Sequence, residues 1–228
     1  AQEGELVFGV YPVMSPSQTV TMFTPLTEHL SSQLGQPVSL RSAPSFSEFV
    51  ERTHAGEYDI IYTAPHMGRL ANLQDGYLPV AQTDYQLVIT ALTGLDSPIQ
   101  SLQDMANRKM AIGSKLSMTY QIINLELKRF GLELEKSVGF VHTASFSNVP
   151  KTIMRQEADA GATGTVMWTK APAEERAALR EIFRSDPVPG LLVLAHSRIQ
   201  PDQLSQLRQA FIGFSAEGMT QPLIVSRR

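Results

Sequence analysis

Apolar residues recur along the chain in short continuous runs that alternate with amphipathic segments, a pattern typical of α/β proteins. The first run, Glu5–Val10, predicts a buried strand, and apolar residues at helical spacing follow between Val20 and Leu34. Gly35 stands just past that segment, at the position where a helix end favours glycine. The N-terminal region therefore reads as a strand followed by a helix.

The same alternation continues along the rest of the chain. Further strands are predicted at Val38–Arg41, Tyr58–Tyr62, Tyr77–Gln82, Tyr85–Thr93, Lys109–Ile112, Val138–His142, Ala158–Ala162 and Leu191–Ala195. Further helices are predicted from Ser45 to Gly56, after His66, at Ser101–Ala106, from Ser117 to Phe130, at Ser145–Gln156, at Pro172–Leu179 and at Pro201–Phe214. This order places a β-α-β-α-β unit in each half of the chain.

A β-α-β-α-β order predicts parallel strands with right-handed crossovers. The fold class is therefore α/β with two lobes, each a mostly parallel sheet flanked by helices. Lobe 1 is expected to contain residues 5–85 and 190–228, and lobe 2 residues 90–185. The extended run Tyr85–Thr93 would carry the first of the crossings between them, and the ligand cleft would lie between the lobes.

The stretch from Lys109 to Tyr120 is the strongest local candidate for a binding site. A short strand feeds Gly113 and Ser114 into a helix that Ser114 or Ser117 can cap. The first N–H groups of a helix are unpaired and lie at the positive end of its dipole, so the spot attracts anions. An ordinary turn whose serine only caps the helix explains the same residues. Both interpretations stay open at this point.

Ligands of open α/β sheets bind beyond the carboxyl ends of the strands. Five loops leave such ends in this chain, and all of them contain hydroxyl groups. The candidate ligand contacts in these loops are Tyr11, Ser15, Ser17, Thr63, His66, Ser114, Ser117, Thr119, Ser145 and Thr163. The convergence of five hydroxyl-bearing loops favours a binding protein more than any single loop does.

Methionine, with its flexible and polarisable side chain, and aromatic residues occur in the same loops. Met118, Tyr120 and Phe146 are the candidates among them, although packing within the core would also account for such residues. If they line the cleft, the ligand is an organic anion, or a quaternary ammonium held by cation–π attraction.

The composition excludes several classes of function. The chain has 228 residues, of which 43% are hydrophobic, enough for a sizeable core, and its net charge of −3 comes from mixed signs. No basic stripe is present, which argues against a nucleic-acid partner. No apolar run reaches the roughly 18 residues of a membrane span. The absence of cysteine removes thiol catalysis, disulfides and thiolate metal sites.

Histidines such as His29, His54 and His196 lack metal-ligand spacing, so neither a metal nor a cofactor is expected. The start Ala1-Gln2-Glu3 is interpreted as the end left by signal-peptide cleavage, which predicts an exported, periplasmic protein.

Five segments together resemble the periplasmic solute-binding proteins of phosphonate, phosphate and phosphite ABC transporters. They are Phe8–Pro12, Pro25–Gly35, Ala55–Ile60, Asp96–Asp104 and Ala158–Ala162. The resemblance covers most of the chain and implies the type II periplasmic binding protein fold, with two lobes that close on a small molecule. It further implies a monomer in the periplasm that delivers its ligand to an ABC permease.

That family binds its anion with a Ser-Thr-Ser-Gly motif at a helix N-terminus in the second lobe. The matching residues here are Ser117, Met118, Thr119 and Tyr120, so two hydroxyls are kept and two positions differ. The family also places a Ser-His pair at the start of the next helix, where this chain has Ser145 and Phe146. These departures leave the ligand open between a phosphonate or phosphate and a related organic anion.

The leading hypothesis is a non-catalytic protein that captures a small anion for an ABC importer. The alternative is a periplasmic protein or domain that presents its ligand to a membrane sensor kinase or cyclase. An enzyme is not expected, because the chain has no Gly-x-Ser-x-Gly, Walker or His-Glu-x-x-His motif.

Overall fold

The computed structural model describes residues 4–83 and 85–214 and the strand Leu223–Ile224. The chain divides into two compact units, and it passes between them twice. Unit 1 consists of Ala1–Gln86 and Pro189–Arg228, and unit 2 of Leu87–Val188. The predicted lobe bounds and the cleft stay predictions, and the N-terminal Ala1-Gln2-Glu3 lies outside the described residues.

Unit 1 contains a six-stranded sheet in the order β11-β4-β10-β3-β1-β2. Its strands are β1 (Leu6–Val10), β2 (Val38–Arg41), β3 (Ile60–Thr63), β4 (Tyr77–Thr83), β10 (Leu192–His196) and β11 (Leu223–Ile224). Its helices are α1 (Pro16–Leu34), α2 (Phe46–His54), α3 (Pro65–Gln74) and α8 (Pro201–Gly213). Strand β1 is parallel to β2 and β3, whereas β10 is antiparallel to β3 and β4.

Unit 2 contains a five-stranded sheet in the order β7-β6-β8-β5-β9. Its strands are β5 (Ile89–Gly94), β6 (Lys109–Ile112), β7 (Gly139–His142), β8 (Ala160–Gly164) and β9 (Leu179–Arg184). Its helices are α4 (Met118–Lys128), α5 (Val149–Met154), α6 (Thr165–Thr169) and α7 (Ala173–Ala178). Strand β6 is parallel to β7 and β8, and β5 is antiparallel to β8 and β9.

Both sheets are mixed, which corrects the expectation of mostly parallel ones. The reason is that the chain leaves unit 1 after Gln86 and returns to it at Pro189. Strand β10 enters unit 1 where β4 left it, so Leu192 pairs with Gln82 and the two strands run in opposite directions. Leu87 and Val188, at the two ends of unit 2, likewise exchange two backbone hydrogen bonds of 2.8 and 2.9 Å.

Several elements differ from the predicted ones. The helix predicted at Ser101–Ala106 is a 3₁₀ turn, and Ser145–Gln156 contains a 3₁₀ turn followed by α5. Strand β9 was not predicted, because three of its six residues are charged, as an edge strand tolerates. Helix α6 was not predicted either, since five residues are too few to show a helical period.

Aromatic packing fixes the central strands of unit 1. The ring of Phe8 is fully buried, with its centroid 6.0 Å from that of Phe23 on α1 and 6.3 Å from that of Phe211 on α8. A Cβ atom at Gly9 would lie 2.6 Å from the Tyr58 ring, so only glycine fits under that ring. The two outer helices are thereby held against β1.

One aspartate in each unit ties together two parallel strands at their amino ends. Asp59 Oδ2 accepts a 2.7 Å hydrogen bond from the Val7 backbone N–H, and Asp159 Oδ2 accepts one of 2.7 Å from Lys109 N–H. Asp59 also accepts from Arg198 Nε at 2.7 Å, whereas Arg108 lies 3.6 Å from Asp159. The two ties are alike in geometry but differ in their ion pairs.

We expect Asp59→Ala to lower the free energy of unfolding by about 1.5–3 kcal/mol, since it removes two charge-assisted hydrogen bonds from a mostly buried carboxylate. Asp159→Ala is the matched control and should cost less, roughly 1–1.5 kcal/mol, because its arginine is more distant and its side chain more exposed. Urea unfolding of both variants measures the difference. Equal losses would show that Arg198 adds nothing to the tie.

Candidate functional site

Tyrosines gather at the carboxyl ends of β1 and β3 in unit 1. Tyr11 follows β1, and its N–H donates to the carbonyl of Tyr62 at 3.1 Å. Its ring packs edge-on against Phe46 at 5.8 Å and against Tyr62 at 6.1 Å between centroids. Tyr85, at the start of the passage to unit 2, interacts with both of the other tyrosines. This edge of the sheet is therefore aromatic.

These tyrosines stay neutral. Burial, reinforced by the nearby Tyr85, raises the pKa of Tyr11 well above its usual value of 10.0. Burial also raises the pKa of Tyr62 well above 10.0, with Tyr85 and Tyr11 adding to the effect. The pKa of Tyr85 is raised by burial as well. The phenols at this edge can therefore donate hydrogen bonds but carry no charge.

The two serines predicted in this region lie at the start of α1. Ser15 is the N-cap, and its hydroxyl accepts from Gln18 N–H at 3.4 Å and donates to Gln18 Oε1 at 3.0 Å. Ser17 is exposed, and its Oγ lies 3.2 Å from Ser15 Oγ. Capping of α1 accounts for the position of Ser15.

The other two predicted residues of unit 1 lie near the end of β3. Thr63 is fully buried, and its hydroxyl donates to the sulfur of Met67, a weak acceptor, at 3.6 Å. His66 is half-buried in the first turn of α3, whose N-cap is Ala64. His66 is therefore not the cap of that helix.

In unit 2, the loop between β6 and α4 is held by its own serines. Ser117 is the N-cap of α4, with its Oγ accepting from Tyr120 N–H at 3.1 Å and donating to the Ser114 carbonyl at 2.6 Å. Ser114 Oγ accepts from Leu116 N–H at 3.2 Å. The Ser117 hydroxyl thus has a local partner both as donor and as acceptor, and capping of α4 accounts for its position.

Tyr120 is directed toward the loop that precedes β7. Its hydroxyl donates to Glu135 Oε2 at 3.0 Å, and its ring lies edge-on to Phe140 with 5.4 Å between centroids. Glu135 Oε1 in turn accepts from Lys115 Nζ at 2.5 Å. Burial and Glu135 raise the pKa of Tyr120 to about 12. Lys115, the cation of the loop between β6 and α4, is therefore paired with Glu135, and Tyr120 binds the same carboxylate.

The predicted pair Ser145 and Phe146 follows β7. Ser145 Oγ lies 2.8 Å from Ser147 Oγ, and the Ser145 carbonyl accepts from the Thr143 hydroxyl at 3.0 Å. Phe146 is buried, and a Cβ at Gly113 would come within 3.1 Å of its ring. An aromatic ring thus packs directly on the turn that leads toward α4.

Two buried hydroxyls near the end of β8 have no hydrogen-bond partner among the described residues. They belong to Thr163, which is 1% exposed, and to Thr165, the first residue of α6. Because β8 is parallel to β6, with Ala111 beside Gly161, this end of β8 leaves the sheet beside the loop to α4. Met118 and Thr119 form the first turn of α4, and Thr119 is buried.

The structure thus divides the predicted residues into two kinds. The hydroxyls of Ser15, Ser117 and Tyr120 have local partners, whereas Thr163 has none within the described chain. The sequence analysis did not single out Tyr62, Tyr85, Thr165 or Glu135. Tyr62 directly precedes Thr63 at the end of the predicted strand, so its position could have indicated it, but nothing in the sequence indicates Glu135, which lies 15 residues from its partner Tyr120. The described residues contain no group of three or more His, Asp or Glu that could hold a metal ion.

A family model matches residues 8–225, nearly the whole chain, and describes the periplasmic substrate-binding protein of phosphonate ABC transporters. The chain belongs to this family. The resemblance inferred from the sequence is confirmed, and so is its function as a solute-binding protein. The family is periplasmic, and its members work with an ABC transporter.

Solved structures support the same fold. PhnD1 of Prochlorococcus marinus, in complex with methylphosphonate, is 18% identical over 92% of this chain and 84% of its own, with a TM-score of 0.82. A binding protein of a phosphonate ABC transporter from Pseudomonas aeruginosa is 18% identical (94% and 76% covered, TM-score 0.81). XAC2383 of Xanthomonas citri, bound to ATP, is 20% identical (92% and 82% covered, TM-score 0.80). The type II periplasmic binding protein fold is confirmed.

No curated protein matches the sequence. Among the described residues, no helix has the length and apolar character needed to cross a membrane.

Ser117→Ala should lower the stability of this family member by about 1 kcal/mol, because α4 loses its N-cap. Ser145→Ala is the matched control, since Ser145 occupies an N-cap position without a capping hydrogen bond and its loss should cost much less. Thermal unfolding measures both effects. A variant Ser117→Ala that keeps its stability but loses ligand affinity would contradict the capping role.

Tyr120→Phe should make the protein less sensitive to alkali. The phenol must be neutral to donate to Glu135, so its stabilising effect is complete below its usual pKa of 10.0 and is lost as the pH rises toward about 12. Urea unfolding of wild type and variant at neutral pH and at about pH 11 measures this, because the other tyrosines titrate in both proteins. If wild type and Tyr120→Phe lose the same free energy of unfolding between the two pH values, the hydrogen bond contributes nothing.

Proposed function

We propose that this protein captures a small anion with a phosphonate-type head group and delivers it to an ABC permease. In unit 2 the head group would lie at the carboxyl ends of β6 and β8, with Thr163, Thr165 and Thr119 as donors together with the first N–H groups of α4. The observation that carries this proposal is the pair of buried hydroxyls, of Thr163 and Thr165, that have no hydrogen-bond partner among the described residues.

An unpartnered buried hydroxyl is costly. Leaving such a group without a hydrogen bond destabilises a protein by about 1–3 kcal/mol, so these groups usually have a partner or a function. A hydroxyl can donate to an oxyanion, and the first N–H groups of a helix provide further donors with a favourable dipole. The site therefore suits an anion bound by neutral donors.

The comparisons support the choice of ligand class. The family serves phosphonate transporters, and one similar structure contains methylphosphonate while another contains the triphosphate ATP. Both of these ligands, like phosphonates in general, present tetrahedral phosphorus with several oxygens. We therefore propose the head group from the chemistry of the site and from these relatives together.

The partner and the location follow from the family. We propose an ABC permease as the receiver and an exported, monomeric protein. The alternative receiver, a membrane sensor, remains a prediction from the sequence, since family membership favours the transporter.

Thr163→Val tests the donor directly, because valine keeps the shape and removes the hydroxyl. We expect affinity for methylphosphonate to fall roughly tenfold to a hundredfold, as for a hydrogen bond to a charged group. The stability of the ligand-free protein should stay the same or rise, since an unpaired buried polar group is removed.

Thr90→Val is the matched control. Thr90 pairs with Thr163 across β5 and β8 and is equally buried, but its hydroxyl donates to the Phe183 carbonyl at 3.1 Å. This variant should lose stability and keep its affinity. Calorimetric titration and thermal unfolding separate the two patterns. If Thr163→Val binds as tightly as wild type, the head group does not use this hydroxyl.

A further inference from the structure

A histidine of unit 1 is built into the turn that joins β10 to α8. His196 is the last residue of β10, and its Nδ1 accepts a hydrogen bond from the backbone N–H of Arg198, with 3.2 Å between the nitrogens. A backbone N–H can only donate, so Nδ1 carries no proton and the ring is neutral, with its proton on Nε2. The turn is closed further by Ile199, whose N–H donates to the His196 carbonyl at 3.0 Å.

The same turn carries the arginine that completes the Asp59 tie. Arg198 Nε donates to Asp59 Oδ1 at 2.7 Å. Its two terminal nitrogens donate to the carbonyls of Gly56 and Tyr58, each at 2.7 Å. Asp59 in turn holds the start of β1. The His196 ring is thus joined to the first strand of unit 1 through consecutive hydrogen bonds.

The His196 ring lies among groups of both charges. It stands edge-on to the buried ring of Tyr77, with 4.9 Å between the centroids. A Cβ atom at Gly56 would come 3.8 Å from His196 Nε2 and 3.3 Å from Arg198 Nη1, so the imidazole and the guanidinium approach the same point. The charged or titratable side chains in the turn and in the two segments beside the ring, 54–59 and 75–77, are those of Arg198, His54, Glu57, Tyr58, Asp59, Asp75 and Tyr77.

The balance of these groups favours the neutral ring. Asp59 and Asp75 would stabilise an imidazolium, but Asp59 is paired with Arg198, and Asp75 Oδ1 lies 2.5 Å from His54 Nδ1. Burial, and after it the charge of Arg198, lowers the pKa of His196 below its usual value of 6.5 in spite of both carboxylates. A proton on Nδ1 would also turn two N–H donors toward each other, one of His196 and one of Arg198.

We infer that His196 is an acid-sensitive latch of unit 1. At neutral pH the uncharged ring holds the turn from His196 to Ile199 in place, and protonation of Nδ1 releases the Arg198 N–H and weakens the hold of Arg198 on Asp59. The neutral ring stabilises unit 1 fully above about pH 6.5, and this contribution is lost as the pH falls below that value through the lowered pKa of the folded state. The latch does not depend on the identity of the ligand.

His196→Asn tests the latch, because asparagine can offer an acceptor oxygen near the position of Nδ1 but does not titrate. Between about pH 7.5 and about pH 5, the unfolding equilibrium constant of wild type should rise roughly threefold to tenfold more than that of the variant, since the unfolded chain takes up the proton more readily than the buried ring does. Urea unfolding at both pH values measures this, because the carboxylates titrate in both proteins. An equal rise in wild type and His196→Asn would overturn the inference.

His142→Asn is the matched control. His142 is an exposed histidine at the end of β7 in unit 2, with its ring centroid 6.4 Å from that of Phe140. This variant should respond to acid as wild type does. If His142→Asn removes as much of the acid response as His196→Asn, the response is not specific to the latch and the inference is wrong.

Amide hydrogen exchange of the wild-type protein gives a local measurement that needs no variant. The two aspartate ties provide the comparison, because Asp59 holds the Val7 N–H and Asp159 holds the Lys109 N–H, and no histidine lies in the segments 108–110 and 158–160. From about pH 7.5 to about pH 5, protection of the Arg198 and Val7 N–H groups should fall at least about threefold relative to that of Lys109. Equal changes at all three would overturn the latch.

Discussion

The aspartate ties at the amino ends of the parallel strands fix the register on which the rest of each unit depends. Asp59 holds the N–H of Val7, and Asp159 holds that of Lys109, each at 2.7 Å. A shift of one residue would turn every side chain of a strand to the other face of its sheet. Because the register is fixed at the amino ends, the carboxyl ends of neighbouring strands come level at the opposite edge. The positions of Tyr11 beside Tyr62 and of the loop after β6 beside Thr163 follow from this.

In unit 2, the opposite edge holds the buried hydroxyls of Thr163 and Thr165, and Lys115 in the loop beside them is paired with Glu135. The ion pairs of Arg129 with Glu126 and of Lys136 with Glu133 lie at the C-terminal end of α4 and in the loop that follows it, and Glu135 of that loop reaches back to Lys115 and Tyr120. Neutral hydroxyl and N–H groups can hold an anion without a buried cation, whose own desolvation would be costly. A transport protein has to bind its ligand and also release it. Neutral donors would allow both, since no buried cation would be left unpaired once the anion leaves.

The sequence predicted the fold well where short-range patterns decide it. The bounds of Val38–Arg41 and Lys109–Ile112 agree with the structure, because the first alternates apolar and polar residues, the second is mostly apolar, and both lie between clear turns. Strand β9 and helix α6 were missed because an edge strand carries charges and a five-residue helix has no period. The antiparallel direction of β10 was missed for another reason. It depends on the chain leaving unit 1 and returning, and no local pattern records that path.

The site could be predicted only in outline, because residue type does not reveal whether a hydroxyl already has a partner. Thr90 and Thr163 show this most clearly. They face each other across one ladder and are equally buried, yet Thr90 reaches the carbonyl of Phe183 on β9, and Thr163 finds no acceptor among the described residues. Ser117 looks like the better ligand in the sequence, but Ser114 and Tyr120 occupy its hydroxyl. A donor is free for a ligand only if its own fold has left it unpaired, and that condition depends on strands far away in the sequence.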